Sequence, residues 1–580
     1  MKDPQTSERP VIYQMITRLF GNSNTTNKPW GTIEENGVGK FNDISNIALN
    51  ELKASGYTHI WFTGVLEHAI LTDYTAYGIP LDDADVVKGR AGSPYAIKDY
   101  YDVNPDLAEN VDKRMIEFEA LVQRTHLAGI KVIIDFVPNH VARRYNSDSR
   151  PPDIKDFGVN DLTTSSLDPN NNFYYIPGSS FSVPEGYQSL GENAFTTKNR
   201  KFEERPAKAS GNDVFSSQPS VNDWFETIKL NYGVDIQNGG ETHFDPIPDT
   251  WLKMKDILLY WASKNIDGFR CDMAEMIPIE FWKWVTKEVK DVYPNIIFIA
   301  EIYNPNVYRD YIQQGGFDYL YDKVELYDTL KHIIQEKAST DNLPTVWQKQ
   351  EGITHHMLRF LENHDEQRIA SPDFAGNMNI GIPMMAAAAF MHSGPIMVYF
   401  GQEVGEPGEG SSGFSGNDGR TTIFDYWGVP EHAKWINQGE FDGGKLSREQ
   451  QDLRARYSKI LKSTNSSEAL REGAFFDLHY YNRNSEYTGY SNRIFTFLRY
   501  TEKERKLVII NLSENQETVK IKIPKHAWEM MKVTSGTFQI ASVDEIQPFS
   551  IQNISSYNHN ETLDFLLSGN TYQIHSIITK

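Results

Sequence analysis

The sequence predicts an α/β protein: a (β/α)8 TIM barrel with an inserted subdomain after strand 3 and a C-terminal antiparallel β-sandwich. Three observations carry this. Eight short apolar segments recur up to residue 400, most of them followed by a helical pattern. Repeated βα units of that number close into a barrel. The alternation lapses between residues 141 and 248, a stretch rich in Asn, Ser, Asp, Pro and Gly. After about residue 466, strand-like segments follow one another.

The eight strands are expected at residues 11–15, 58–63, 131–137, 267–272, 296–301, 316–320, 356–361 and 395–400. The third is almost continuously apolar, as strands buried on both faces of a parallel sheet are. Ahead of it, residues 112–128 read as a helix. Met115, Phe118, Leu121 and Val122 share one stripe, at the three- and four-residue spacings of an amphipathic helix. Gly129 then ends it, as a glycine after the last turn commonly does. Residues 251–263 read as another helix. An open doubly wound sheet is the rival, but no Gly-x-Gly-x-x-Gly turn follows the first strand.

The lapse of about 100 residues is too long for an ordinary βα loop. Residues 1–140 are therefore expected to form the first part of the barrel, 141–248 the inserted subdomain and 249–465 the rest of the barrel. Residues 466–580 form the sandwich, with strands expected at 493–498, 506–510 and 519–523. The last of these alternates strictly, which turns one face inward.

Composition removes several functions. The formal charge is −21, and a chain this acidic repels nucleic acid and anionic lipid while leaving a neutral substrate unaffected. Cys271 is the only cysteine, so neither an internal disulfide nor a cysteine zinc site forms. No apolar run approaches the ~18–20 residues that span a bilayer. The start, Met1-Lys2-Asp3-Pro4-Gln5, has no signal-peptide core. Secretion or a periplasmic place is expected if a leader has been removed, a cytoplasmic one otherwise, and a monomer in either case.

The strand ends carry the chemistry, because the mouth of a barrel lies where its strands finish. The third runs into Asp135-Phe136-Val137-Pro138-Asn139-His140, the fourth ends Arg270-Cys271-Asp272, the fifth ends at Glu301, and the seventh runs into Glu362-Asn363-His364-Asp365. Any one of these acids alone is most simply a salt-bridge partner or a cap. Acids at successive strand ends are not, because packed strands disfavour buried charge. Two carboxylates across one bond are what retaining glycoside hydrolysis requires. Arg270 lies two residues before Asp272, so both point to one face. The guanidinium is expected to depress the Asp272 pKa and keep it an ionised nucleophile. Glu301 follows the apolar run from Ile296 to Ala300, surroundings that suit a general acid. Asp365 is left to hold sugar hydroxyls and favour an oxocarbenium-like transition state. His140 and His364 are expected to donate to hydroxyls; metal ligation or core hydrogen bonding is their plainer use.

These blocks resemble, in order and on the expected strands, the four motifs of the α-amylase family of glycoside hydrolases. The resemblance covers nearly the whole chain. It implies hydrolysis of α-glucosidic bonds, most often α-1,4, with Asp272 as nucleophile, Glu301 as acid/base and Asp365 as transition-state stabiliser. Ser93-Pro94-Tyr95-Ala96-Ile97-Lys98-Asp99-Tyr100 resembles the block whose tyrosine, here Tyr95, stacks on the sugar at the cleavage site. Arg270, His140 and His364 join Tyr95 as expected substrate contacts. No cofactor is implied for the chemistry. A structural calcium ion is implied between insertion and barrel, with Asn139 as one ligand. Two departures stand out. Glu275 and Met276 occupy the place of a Lys-His pair that commonly serves a leaving-group subsite. Lys229 stands where an aspartate ligand would sit, and its ammonium could take the cation's place. Asn171, Phe173, Tyr174 and Tyr175 are read as a distal sugar platform.

An endo-acting α-amylase on starch-like α-glucans or maltooligosaccharides is the leading expectation. An exo-acting α-glucosidase, a glucanotransferase and a trehalose synthase use the same three acids. A non-catalytic glucan-binding or partner subunit should have lost one of them, and all three are present.

Overall fold

The computed structural model describes residues 8–185, 187, 200–410, 416–483, 489–533, 537–542, 552–555 and 561–579. The polar start at residues 1–5 lies outside them. Eight parallel strands form one sheet: β1 (Val11–Ile16), β2 (His59–Thr63), β3 (Lys131–Phe136), β4 (Gly268–Cys271), β5 (Ile297–Ala300), β6 (Tyr319–Tyr321), β7 (Met357–Leu358) and β8 (Ile396–Tyr399). Each of the eight expected segments supplies one strand. β1 pairs with both β2 and β8, in registers Ile12↔His59 and Val11↔Ile396. A parallel bridge between Arg359 and Ile396 joins the two remaining edges. Arg359 N donates to Pro395 O at 3.0 Å and Met397 N to Arg359 O at 2.9 Å, which closes the barrel.

Helices cover the barrel, among them α1 (Asn46–Ser55), α2 (Arg114–Leu127), α3 (Asp249–Ser263) and α4 (Ile279–Val292). α2 turns Phe118, Leu121, Val122 and Thr125 into the core. Gly129 follows it at φ +73°, a left-handed conformation that costs glycine nothing. There its N–H bonds His126 O at 2.8 Å, and Ile130 N bonds Thr125 O at 3.1 Å. α3 and α4 pack side by side. α5 (Gly381–Phe390) is buried at every residue, as a helix apolar all round must be. The exposed faces of α6 (Arg448–Ser466) carry charge instead.

Between β3 and β4 the chain builds an irregular subdomain on short antiparallel pairs. His140–Ala142 pairs with Thr227–Lys229, and Tyr175–Ile176 with Ala207–Lys208. A small core of its own holds Val86, Phe181, Val183, Phe202, Ala207 and Phe225. With no α-helix among the described residues of the insertion to supply an apolar face, aromatics fill the space. Asn171, Phe173, Tyr174 and Tyr175 are buried among these elements. They form an internal scaffold rather than an exposed sugar platform. The Asn171 amide bonds the Leu162 backbone, and Tyr175 Oη donates to Asp161 at 3.1 Å.

The C-terminal part is antiparallel. Strands β9 (Ala474–Asp477), β10 (Ile494–Tyr500), β11 (Arg505–Asn511), β12 (Glu517–Ile521), β13 (Thr537–Ser542), β14 (Gln552–Ser555), β15 (Leu563–Leu567) and β16 (Thr571–Thr579) follow in order. Six form a sheet in the order β9-β10-β11-β16-β13-β14, while β12 and β15 pair as a ribbon. Val519 and Ile521 of the ribbon are buried and Lys520 is exposed, the strict alternation read from the sequence. They pack on Ile494, Leu498, Leu507 and Ile509 of the sheet. Phe495, Phe497, Val508 and Ile510 point to the opposite face, into the barrel's core. No helix among the described residues is long and apolar enough to cross a membrane.

Candidate active site

Strand register brings the acids together. β4 pairs Arg270 with Asp135 of β3 and Ile299 of β5, so the residues that end these strands are neighbours. Asp272 N bonds Phe136 O at 2.9 Å, and Glu301 N bonds Cys271 O at 3.1 Å. The fully buried guanidinium of Arg270 sits beneath them. It meets Asp272 Oδ1 and Glu301 Oε2 at 2.8 Å each and Asp135 Oδ1 at 3.5 Å. Its Nε donates to Tyr321 Oη at 3.1 Å. The rings of Trp61, Tyr95 and Tyr321 surround it at 5.2, 5.3 and 5.5 Å. Five successive strands thus converge on one positive charge, which holds carboxylates rather than facing the cavity above.

Glu301 is gripped further. Met273 N donates to its Oε2 at 2.8 Å, and Tyr303 Oη to its Oε1 at 2.6 Å. Met273 adopts φ +43° to do so, a strained conformation for a residue with a side chain. From the end of β7, His364 stands opposite. Gln14 Nε2 holds its Nδ1 at 2.8 Å. Its Nε2 lies 2.6 Å from Tyr95 Oη and 3.0 Å from Asp365 Oδ2. Tyr95 and His364 stack with centroids 5.2 Å apart.

A cavity of about 370 Å3 opens above, within the range of small-molecule sites. Asp272, Glu301, Asp365, Tyr95, His140 and His364 all line it. So do Lys88, Trp224, Glu226, Met273, Tyr303 and Phe424, which sequence reasoning did not single out. Lys88 and Glu226 form a buried ion pair at 2.9 Å between the loop after β2 and the insertion. Tyr303 stands two residues past Glu301, just beyond the end of β5.

The electrostatics correct one expectation. Burial pushes the Asp272 carboxyl well above the ordinary range; the pull of Arg270 is outweighed, and Glu301 and Asp135 push the same way as burial. The guanidinium is shared among three acids, so it does not depress any one as an exclusive partner would. Asp365 behaves oppositely. Desolvation pushes it up, but the charge and hydrogen bond of His364, with Arg270 and Arg420, bring it to about 2. Its side chain opens to the cavity, 43 % exposed. Burial lowers His140 to about 3, with Lys229 and Lys88 acting in the same sense. It is therefore neutral near pH 7.

The residues around Asn139 do not fit a calcium ion. Asn139 Oδ1 accepts from Lys229 Nζ at 2.5 Å, and the same ammonium meets Asp213 Oδ1 at 2.7 Å. Lys229 is buried, and Asn139 Nδ2 is spent on Gly211 O at 2.8 Å. A divalent ion coordinated by Asn139 would stand against that ammonium, which already occupies Asn139 Oδ1 and Asp213 Oδ1, the oxygens calcium would need.

Comparison with known proteins gives this arrangement its context. The family model "Alpha amylase, catalytic domain" matches residues 14–519. The chain belongs to the α-amylase family. As a member it is a glycoside hydrolase, and hydrolases and transferases acting on α-glucosides share the family. It is 22% identical to "Alpha-amylase 3" of Dictyoglomus thermophilum over 450 residues, covering 73% of this chain and 75% of that one. It is 21% identical to a cyclomaltodextrinase of a Bacillus species over 525 residues, covering 88% and 74%. Among solved structures, a maltogenic α-amylase of Thermotoga neapolitana shares the fold, with TM-score 0.60, 18% identity, and 98% and 99% of the two chains covered.

Proposed function

We propose that this α-amylase family member is an endo-acting α-amylase, hydrolysing α-1,4-glucosidic bonds in starch-like α-glucans and maltooligosaccharides with retention of configuration. The observation that carries the reading is the pairing of Asp272 and Glu301 on the two ends of one guanidinium, 2.8 Å each. Retaining enzymes keep their two carboxyl groups close, about 5–5.5 Å apart, with no water between them.

In this reading the Asp272 carboxylate attacks the anomeric carbon while Glu301 delivers its proton to the departing glycosidic oxygen. A glycosyl ester forms on Asp272. Glu301, now a carboxylate, takes a proton from water, which attacks the same carbon and releases Asp272. Two inversions give retention. Asp365, ionised across the cavity, accepts hydrogen bonds from ring hydroxyls and stabilises positive charge at the anomeric carbon. Tyr95 offers the sugar a ring face, neutral His140 offers a hydroxyl partner, and His364 offers another. Lys229 takes the place of calcium beside Asn139, between insertion and barrel.

The test is a time course on amylose, maltotriose, pullulan and maltose, with Asp272→Asn beside the parent. Early mixed α-anomeric oligosaccharides from amylose, absent in the variant, are expected. Glucose alone from the outset would mean exo-action. Longer oligosaccharides or trehalose would mean transfer or isomerisation. Binding without turnover by the parent would mean a glucan-binding subunit.

A further inference from the structure

Three arginines from distant parts of the chain grip the segment that leads from α5 into β8. Arg9, just ahead of β1, donates through Nε to Gly394 O. Arg499 of β10 donates to Phe390 O at 2.7 Å and His392 O at 2.6 Å. Arg359, which follows β7, bonds Pro395 O through its backbone N at 3.0 Å. Ile396 N bonds Pro10 O at 3.1 Å, so β1 and β8 begin side by side here. The cluster thus lies at the starting end of these strands, away from the mouth that holds Asp272 and Glu301. All three side chains are buried.

Their charge is not balanced. Asp322 meets Arg359 at 2.8 Å and is the only carboxylate in ion-pair contact with any of the three among the described residues. Burial, and after it Arg359, bring Arg499 down to about 9, which leaves it charged near pH 7. Buried charges are normally paired.

Donors are left over as well. Arg9 Nη2, Arg359 Nη1 and Arg499 Nε are buried and make no hydrogen bond among the described residues. The Nε2 of buried His392 is a fourth such atom, its Nδ1 being set between Gly394 N and Thr354 O at 3.1 Å each. After burial, Arg359, Arg9 and Arg499 all lower the pKa of that ring, so the groups stand within electrostatic reach of one another. Buried polar atoms without a partner are rare and call for a water or an ion. Water would satisfy the donors and leave the charge. An anion answers both, and guanidinium groups are weakly enough hydrated to take one.

We propose that a small inorganic anion of the halide class binds among Arg9, Arg359 and Arg499 and ties the start of the barrel to the C-terminal sheet. The spare arginine nitrogens suit a one-atom anion; a phosphate or sulfate, with four oxygens to satisfy, asks for more of them.

The test begins with the full chain dialysed into gluconate, with chloride then exchanged for gluconate at a constant ionic strength of about 0.2 M, so that general screening does not change. Tm is expected to rise along a saturating curve by about 2–4 °C, as a ligand of the native state alone requires. Arg359→Gln should abolish that rise, and Arg448→Gln, on the exposed face of α6, should keep it. Crystals of the parent grown in bromide give a second measurement that needs no variant to fold: an anomalous peak is expected within hydrogen-bonding reach of the three guanidinium groups. Equal Tm in chloride and gluconate, a rise that Arg359→Gln retains, or no bromide peak at this place overturns the proposal. A rise with sulfate or phosphate but none with chloride overturns the choice of a one-atom anion.

Discussion

Arg270 decides how the acids share their protons. It lies under the cavity floor and touches Asp272, Glu301 and Asp135 at once. Asp272 must be ionised to attack, yet burial raises its pKa well above the usual value of about 3.9. The sign follows directly. A raised pKa means the carboxylate is lost, and kcat/KM falls, at a higher pH than an exposed aspartate would require. The acid limb of the kcat/KM profile should therefore lie at higher pH than an exposed aspartate would give. Arg270→Gln, which removes the stabilising charge, should move it higher still; a limb that stays put would refute this. Glu301→Gln should cost about 10²–10⁴-fold in kcat, the usual share of a general acid, and the check is a much smaller loss on a glycosyl fluoride, whose leaving group needs no proton. Tyr303 lines the cavity and donates to that acid. Tyr303→Phe removes a 2.6 Å hydrogen bond and should lower kcat about tenfold with KM little changed. A change confined to KM would assign Tyr303 to binding instead.

Elements differ in how much of them could be read. Strands β1 to β5 were legible because short, largely apolar segments recur between helical patterns, and β4, Gly268-Phe269-Arg270-Cys271, by its place in that alternation rather than by an apolar run. The expected sixth strand at 316–320 arrives late, at Tyr319–Tyr321, because Gly316 turns at φ +76° and Phe317 still belongs to the turn. The seventh shrinks to Met357–Leu358, since beyond it only Arg359 finds a bridge to β8. The strand-end acids were legible for the same reason as the strands. Lys88, Trp224 and Glu226 were not, because loops and insertion carry no periodicity to say which side chains turn inward. Lys229 was half legible: its charge argued against calcium, and its ammonium now stands against Asn139 and Asp213. Lys229→Met should leave both oxygens without their cation and cost about 3 kcal/mol, read as a lower Tm. Calcium or a chelator should shift the parent's Tm by less than a degree. Chelator-sensitive melting of the parent would show that a divalent ion holds the insertion after all.

At the scale of the whole molecule, the question is why a β-sheet at the end of the chain belongs to the enzyme. One face of the sheet packs into the barrel's core through Phe495, Phe497 and Ile510. Phe390, the last residue of α5, meets Tyr572 of β16 at 5.8 Å. Apolar contact alone would let the two parts slide. Arg499 of β10 fixes them. It is fully buried, and its guanidinium donates to Phe390 O at 2.7 Å, His392 O at 2.6 Å, Gly473 O at 2.7 Å and Ser393 Oγ at 2.9 Å. Three of those partners lie on the segment that leads from α5 into β8, the strand that closes the barrel. Arg499→Met keeps the apolar stem but leaves the carbonyls at the joint without donors, at about 1–3 kcal/mol for each that water does not reach. Melting should then change in kind. The parent is expected to unfold in one calorimetric transition, and the variant in two, with the C-terminal sheet lost first. Catalytic activity should survive that first transition only briefly, because β8 loses its anchor with the sheet. A single transition merely displaced to lower temperature would show that the apolar interface, not Arg499, couples the two parts.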